Sequence, residues 1–260
     1  MKLKKTDISR VAEGIALPLT VGIIWYIVTA RHLVMRDLLP GPGDVLAAFR
    51  EILNNGTFAY NLRISVFRVL KGFLIGSTAG YVLGVILGMS KLLERMVTPF
   101  FNAVRQVPLP AWAPLMVLVS HGEISQVLFI SIGASYPVVL NTFEGVRSVR
   151  AEYLEVAHVY RFDRVKTFLR IFLPASFPSV LTGLRLSMSI SWMAVVAAEI
   201  FMTSGGGMGE MMWAGREISR MDIVFVCIIT IALVGFSMTW LMRMLEKTFS
   251  FWRITMKQSQ

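Results

Sequence analysis

Apolar runs of membrane-spanning length, separated by shorter polar segments, set the pattern of this chain. Residues 14–30, 72–90, 124–140 and 223–242 carry no charged side chain. A helix of about twenty residues rises roughly 30 Å, the thickness of a bilayer's hydrocarbon core. Two further runs, 98–120 and 180–201, are nearly as apolar, interrupted by Arg105 in one and by Arg185 and Glu199 in the other. The pattern predicts an all-α, polytopic membrane protein with six transmembrane helices.

The polar segments refine this reading. Pro40-Gly41-Pro42-Gly43 signals a turn, after which Asp44 can cap a short amphipathic helix carrying Val45, Leu46, Phe49, Ile52 and Leu53 on one side. In the second span Gly72, Gly76, Gly80, Gly84 and Gly88 recur every four residues, a stripe that lets another helix approach closely in lipid. The third run holds Pro108, Pro110 and Pro114, so its freed carbonyls need protein partners or a wet cavity. It is either a gate with Pro108, Pro110 and Trp112 near a translocation path or a kinked structural helix. Ser120-His121-Gly122-Glu123 forms a short turn, and residues 203–209, TSGGGMG, form a flexible loop. In the fifth span Trp192 and Glu199 share one face, while Ser187, Ser191, Ala194 and Ala198 form a small-residue face on the other side.

Composition agrees with a membrane protein: 55% of the residues are hydrophobic and only 16% charged, against about a quarter in soluble domains. The net charge of +10 would suggest nucleic acid in a soluble protein. Here lysine and arginine concentrate on alternate loops by roughly two to one, which orients both termini to the cytoplasm and assigns nucleic acid no role. The expected organisation is a cytoplasmic N-terminus over 1–13, a single transmembrane domain over 14–246, and a basic cytoplasmic tail over 247–260. The apolar run 14–30 also resembles a signal-peptide core, with Val28-Thr29-Ala30 as a cleavage site, but its length favours an uncleaved first span. One cysteine, Cys227, excludes an intramolecular disulfide, and His32, His121 and His158 lack metal-site spacing.

One stretch departs from the pattern. Residues 150–178, RAEYLEVAHVYRFDRVKTFLRIFLPASFP, interleave charges with Tyr153, Leu154, Val156, Val159 and Phe162 between two spans. Charge counting assigns it to the cytoplasmic side, where its apolar residues need a protein partner. Glu155-Val156-Ala157 followed by Ile171-Phe172-Leu173-Pro174 resembles the EAA loop of ABC importer permeases. Arg161 stands where that pattern has glycine, so the loop's turn is expected to differ. The similarity extends from about Leu39 to Trp252 and includes QVPLPAWAPLMVL, LPASFPSVLTGLRLS and GGGMGEMMWAGREISRMD, as in the sulfonate, taurine, nitrate and bicarbonate branch. Ala214-Gly215-Arg216-Glu217 leans toward alkanesulfonates or taurine, whereas Ser120-His121-Gly122 departs from the branch.

The resemblance implies a type I ABC importer permease fold and a multi-pass protein of the bacterial cytoplasmic membrane. It implies a second copy of the permease, two cytoplasmic ATPase subunits and an extracytoplasmic solute-binding protein as partners. ATP and magnesium would be held by the ATPase; the chain itself would carry no cofactor and no catalytic residue. Glu155, Val156, Ala157, Arg161, Leu173 and Pro174 are the ATPase-coupling candidates in the loop 150–178, the first four of them on a short helix expected over 151–162. Pro108, Pro110, Trp112, Trp192 and Glu199 are the candidates for the gate and path. An ionisable group in a span suggests function, although Glu199 could simply pair with Arg216 or Arg220. Arg63, Arg68 and Lys71 either attract an anionic solute or contact lipid headgroups, the latter being the simpler reading. A self-sufficient channel, a secondary carrier and a non-transporting scaffold are the competing classes.

Overall fold

Hydrocarbon leaves the backbone no water to bond, so each apolar run has to satisfy its N–H and C=O groups internally. The computed structural model describes residues 5–202 and 205–249, and all regular structure among them is helical. The α-helices are α1 (Lys5–Ala30), α2 (Pro42–Asn54), α3 (Thr57–Met89), α4 (Lys91–Arg105), α5 (Ala113–Val119), α6 (Glu123–Arg147), α7 (Ala151–Val159), α8 (Arg164–Thr167), α9 (Leu173–Phe201), α10 (Met208–Glu217) and α11 (Met221–Phe249). Thr57–Met89, Glu123–Arg147, Arg164–Phe201 and Met221–Phe249 are long and apolar enough to cross a membrane, while Ala16–Ala30 and Leu109–Val119 are shorter apolar helices.

The third expected span is not one helix. Helix α4 ends at Arg105, Leu109–Trp112 forms a 3-10 turn, and α5 adds seven residues. Pro110 and Pro114 each sit in the first turn of a short helix, where a missing N–H costs nothing. The second span begins fifteen residues before its predicted start, at Thr57. Its N-terminal half carries charge, which disguised it as a loop.

The described residues divide into two compact units. One comprises the chain up to Ala59 with Met211–Thr230. In it α2 buries Val45, Ala48 and Ile52, and Val226 belongs to the same apolar cluster. Leu46 and Leu53, expected on that face, are exposed. Asp44 is not the residue preceding the helix. Gly41 is, and Asp44 reaches back from the third helical position to accept the Gly41 N–H at 3.0 Å. Pro42 fits the first helical position, which moves the start three residues upstream of the expected one. Trp25 donates its indole N–H to the Pro40 carbonyl at 3.0 Å and stacks on Phe225. Arg220 bonds Asp222 and also Glu51, which holds its pKa above the usual arginine range.

The other unit comprises Tyr60–Glu210 and the residues from Ile231 on. Its core includes Val69, Phe129, Ile130, Trp192, Val195 and Ala198. The glycine stripe of α3 lies directly on α6: a β-carbon on Gly84 would fall 2.7 Å from Thr142, and one on Gly88 2.7 Å from Val146. Only glycine admits that approach, and in lipid such packing is the main force joining helices. Helix α9 packs on α6 next to α3: Ser187 Oγ donates to the Ala134 carbonyl at 2.7 Å and lies 3.2 Å from Ser77 Oγ of α3. Both predicted faces of α9 are buried, since Ser187, Ser191, Ala194 and Ala198 are as enclosed as Trp192 and Glu199.

Candidate functional site: an exposed loop helix and a buried carboxylate

Helix α7 starts at Ala151 and ends at Val159, three residues before the expected limit. A Schellman turn stops it: Arg161 N–H bonds the His158 carbonyl at 3.0 Å, and Phe162 N–H bonds the Ala157 carbonyl at 2.9 Å. Arg161 occupies the left-handed position of that turn, with φ of +50°. The turn therefore has the backbone form that glycine would favour, with arginine bearing a strain of about 1 kcal/mol. Beyond it Asp163 caps α8 by accepting the Lys166 N–H at 2.7 Å.

Ala157 is the buried residue of α7. Leu154, Val156, Val159 and Tyr160 are exposed, Val159 to 79%, and Glu155 is exposed beside them. A short helix exposed at every residue but Ala157, with bare apolar side chains beside an acidic one, has the chemistry of a docking surface. A π-helical turn, Phe168–Phe172, joins α8 to α9, which starts at Leu173 and Pro174. Pro174 cannot donate to a carbonyl one turn back. The wider turn lies where that donor is missing, and just beyond it the Ser176 hydroxyl donates to the Phe172 carbonyl at 2.6 Å.

The path candidates separate into two groups. Pro108 and Pro110 are exposed on the 3-10 segment, while Trp112 is half-buried and packs on the cluster that contains Trp192. Trp192 donates its indole N–H to the Ile231 carbonyl of α11 at 2.9 Å. Glu199 lies apart from these four side chains' polar contacts, in a polar pocket of its own.

Glu199 does not pair with Arg216 or Arg220. Its carboxylate accepts from Arg68 at 3.0 Å, from Ser65 at 2.8 and 2.9 Å, and from the Gly209 N–H at 2.9 Å. Arg68 also donates to the Gly206 carbonyl at 2.6 Å, Ser65 accepts the Met208 N–H, and Asn61 accepts the Gly207 N–H. Glu199 is 0% exposed and Arg68 3%. Arg68 is therefore not a lipid-facing cation, and the reading that grouped it with Arg63 and Lys71 is corrected. Nor are residues 205–209 a free loop: five backbone groups are tied down, the fifth being the Gly206 N–H on Glu210, and a β-carbon on Gly207 would collide with the Glu199 carboxyl. Residues 203–204 and 250–260 of the predicted loop and tail lie outside the described residues.

Ser65, Arg68 and Asn61 were missed as site residues, yet a signal for them exists. Positions 61, 65 and 68 continue upstream the stripe occupied by Gly72, Gly76 and Gly80, and all six are buried. A polar stripe in line with a helix-packing stripe faces protein.

Comparison with known proteins accords with this architecture. The model of the family described as "binding-protein-dependent transport system inner membrane component" matches residues 72–251. A putative aliphatic sulfonates transport permease protein, SsuC, of Bacillus subtilis is 36% identical, the match covering 93% of this chain and 87% of that protein. The bicarbonate transport system permease protein CmpB of Synechococcus elongatus is 31% identical, with 89% of each chain covered. Among solved structures, an amino acid ABC transporter has the same fold with a TM-score of 0.61 at 15% identity, over 77% of this chain and 96% of that one. The chain thus belongs to the family of inner membrane components of binding-protein-dependent transport systems, with the all-α fold of the type I ABC importer permeases.

Proposed function

We propose that the chain is the permease subunit of an ATP-driven importer. It passes a small anionic solute, of the aliphatic sulfonate or taurine type, that a solute-binding protein delivers. The observation that carries this reading is α7: a short helix with bare apolar side chains, joined through Leu173 and Pro174 to a spanning helix. Glu155 and its apolar neighbours seat in a groove of a cytoplasmic ATPase, and Ala157, Arg161 and Pro174 shape the loop that presents them. ATP, with magnesium, is bound and hydrolysed on that partner, and its closure drives the rigid-body change that alternates access.

In this reading two copies of the permease and two ATPase subunits form the membrane complex, with both termini of the permease in the cytoplasm. The solute class is supported by the names of the relatives, one a sulfonate and one a bicarbonate permease. Pro108, Pro110 and Trp112 remain the gate candidates, because α4, the 3-10 turn and α5 interrupt one crossing.

Reconstitution tests the proposal. Proteoliposomes containing the permease with its ATPase and binding protein should accumulate ethanesulfonate or taurine only when ATP is present on the ATPase side. Uptake at the same rate without any ATPase would establish a channel or secondary carrier instead. Accumulation of nitrate or bicarbonate but no sulfonate would move the substrate within the anionic class.

A further inference from the structure

We infer that Arg68 and Glu199 are a positioning pair through which movement of the 150–178 loop reaches the glycine segment 205–209; this rests on the importer reading above. Helix α9 has 29 residues, about 43 Å of continuous helix with Pro178 in its second turn. One end carries Leu173 and Pro174, the other carries Glu199. At that second end a single carboxylate bonds α3, through Ser65 and Arg68, and the backbone of Gly209. Arg68 closes the circuit on the Gly206 carbonyl.

Apolar contacts between helices can slide by a fraction of a turn at little cost. A sealed ion pair with hydrogen bonds in several directions has one register, and fixing register is the best-attested use of buried charge. The glycine segment is shaped around the pair as well. Gly205, Gly206 and Gly207 all have positive φ, and Gly209 has no room for a side chain, its β-carbon falling 2.6 Å from the Val196 carbonyl. A shift or tilt of α9 therefore carries 205–209 with it or breaks the pair. Glu199 is thus the handle by which the rod holds the segment, and Arg68 fixes that handle against α3.

The test is hydrogen exchange of the peptide covering residues 205–210 in the assembled complex, measured without nucleotide and after trapping with ATP, magnesium and vanadate. In the wild type the two states should differ in exchange rate by about fivefold or more, a usual size for coupled sites. The double variant Arg68→Gln/Glu199→Gln removes both charges without stranding either. It should abolish that difference while α7 stays protected by the bound ATPase. Arg68→Lys, which keeps a cation beside the carboxylate, should restore the difference. A full nucleotide response in the double variant would overturn the inference. So would a wild-type complex whose α7 is protected but whose 205–210 amides ignore nucleotide. If α7 gains no protection from the ATPase in the wild type, the importer reading itself fails, and the inference falls with it.

Discussion

Trp192 lays its indole on Gly235: a β-carbon at that glycine would sit 2.7 Å from the ring, and the indole N–H reaches the Ile231 carbonyl 2.9 Å away. One tryptophan thus joins α9 to α11 by both shape and hydrogen bond. Gly235→Leu would force the two helices apart and should destabilise the chain by about 1–3 kcal/mol. Trp192→Phe keeps most of the shape and loses the bond, at a cost of about 0.6 kcal/mol, as for other interhelical bonds in lipid. Thermal unfolding in detergent should rank the two variants in that order, and the reverse order would show that the hydrogen bond dominates.

The turn after α7 offers the opposite kind of change. Arg161→Gly should stabilise the loop by about 1 kcal/mol, since glycine adopts φ of +50° without the steric cost. Arg161→Val should destabilise it by more, because a β-branched residue tolerates that conformation least. Hydrogen exchange over residues 157–163 is the direct readout. Equal exchange in all three proteins would mean that the left-handed turn is not populated in solution.

Glu155 is the most exposed test of the docking surface. Glu155→Lys should abolish ATP-driven uptake while the permease still inserts and folds, because Glu155 touches nothing that holds the chain together among the described residues. Uptake assays paired with membrane extraction separate the two effects. Normal uptake by this variant would remove Glu155 from the coupling role.

A pH dependence is expected at the start of α2. Arg36, and then the Gly41 N–H, hold the Asp44 carboxyl below the usual carboxylate range. A depressed folded value means stabilisation that is fully present above the unfolded pKa of ~3.9 and is lost as pH falls through the folded value. The gap in melting temperature between the wild type and Asp44→Asn should therefore be constant near neutrality and close in strong acid. A gap that widened with acid would contradict the pairing.

Much of this architecture is legible in the chain because lipid imposes simple rules. Uncharged length predicted the spans, and spacing of four predicted the glycine face of α3. Arg68 was misread for a physical reason: counting charges treats each one as solvated, and its partner Glu199 lies 131 residues away. Only the continuation of the stripe through 61, 65 and 68 distinguishes it from Arg63 and Lys71, which are on the other faces of the same helix. Asp44 was placed at the cap, three positions from its true place inside the helix, because proline is well suited to the first helical turn, a position the turn signal Pro40–Gly43 obscured. The left-handed Arg161 shows a third limit. Sequence weighed the cost of arginine there as a reason for a different turn, but two backbone hydrogen bonds outweigh a penalty of about 1 kcal/mol.

The π-turn at Phe168–Phe172 also sets a phase. A wider turn holds one more residue than an α-turn, so every position after it is rotated by about 100° relative to an unbroken helix. The faces of α9, Glu199 included, are therefore indexed to α8 by that single extra residue. Deleting one residue from 168–172 would leave both helices intact and, because α9 is held by α6 and by Arg68, would turn α8 and the loop before it about the rod like a key in the wrong notch.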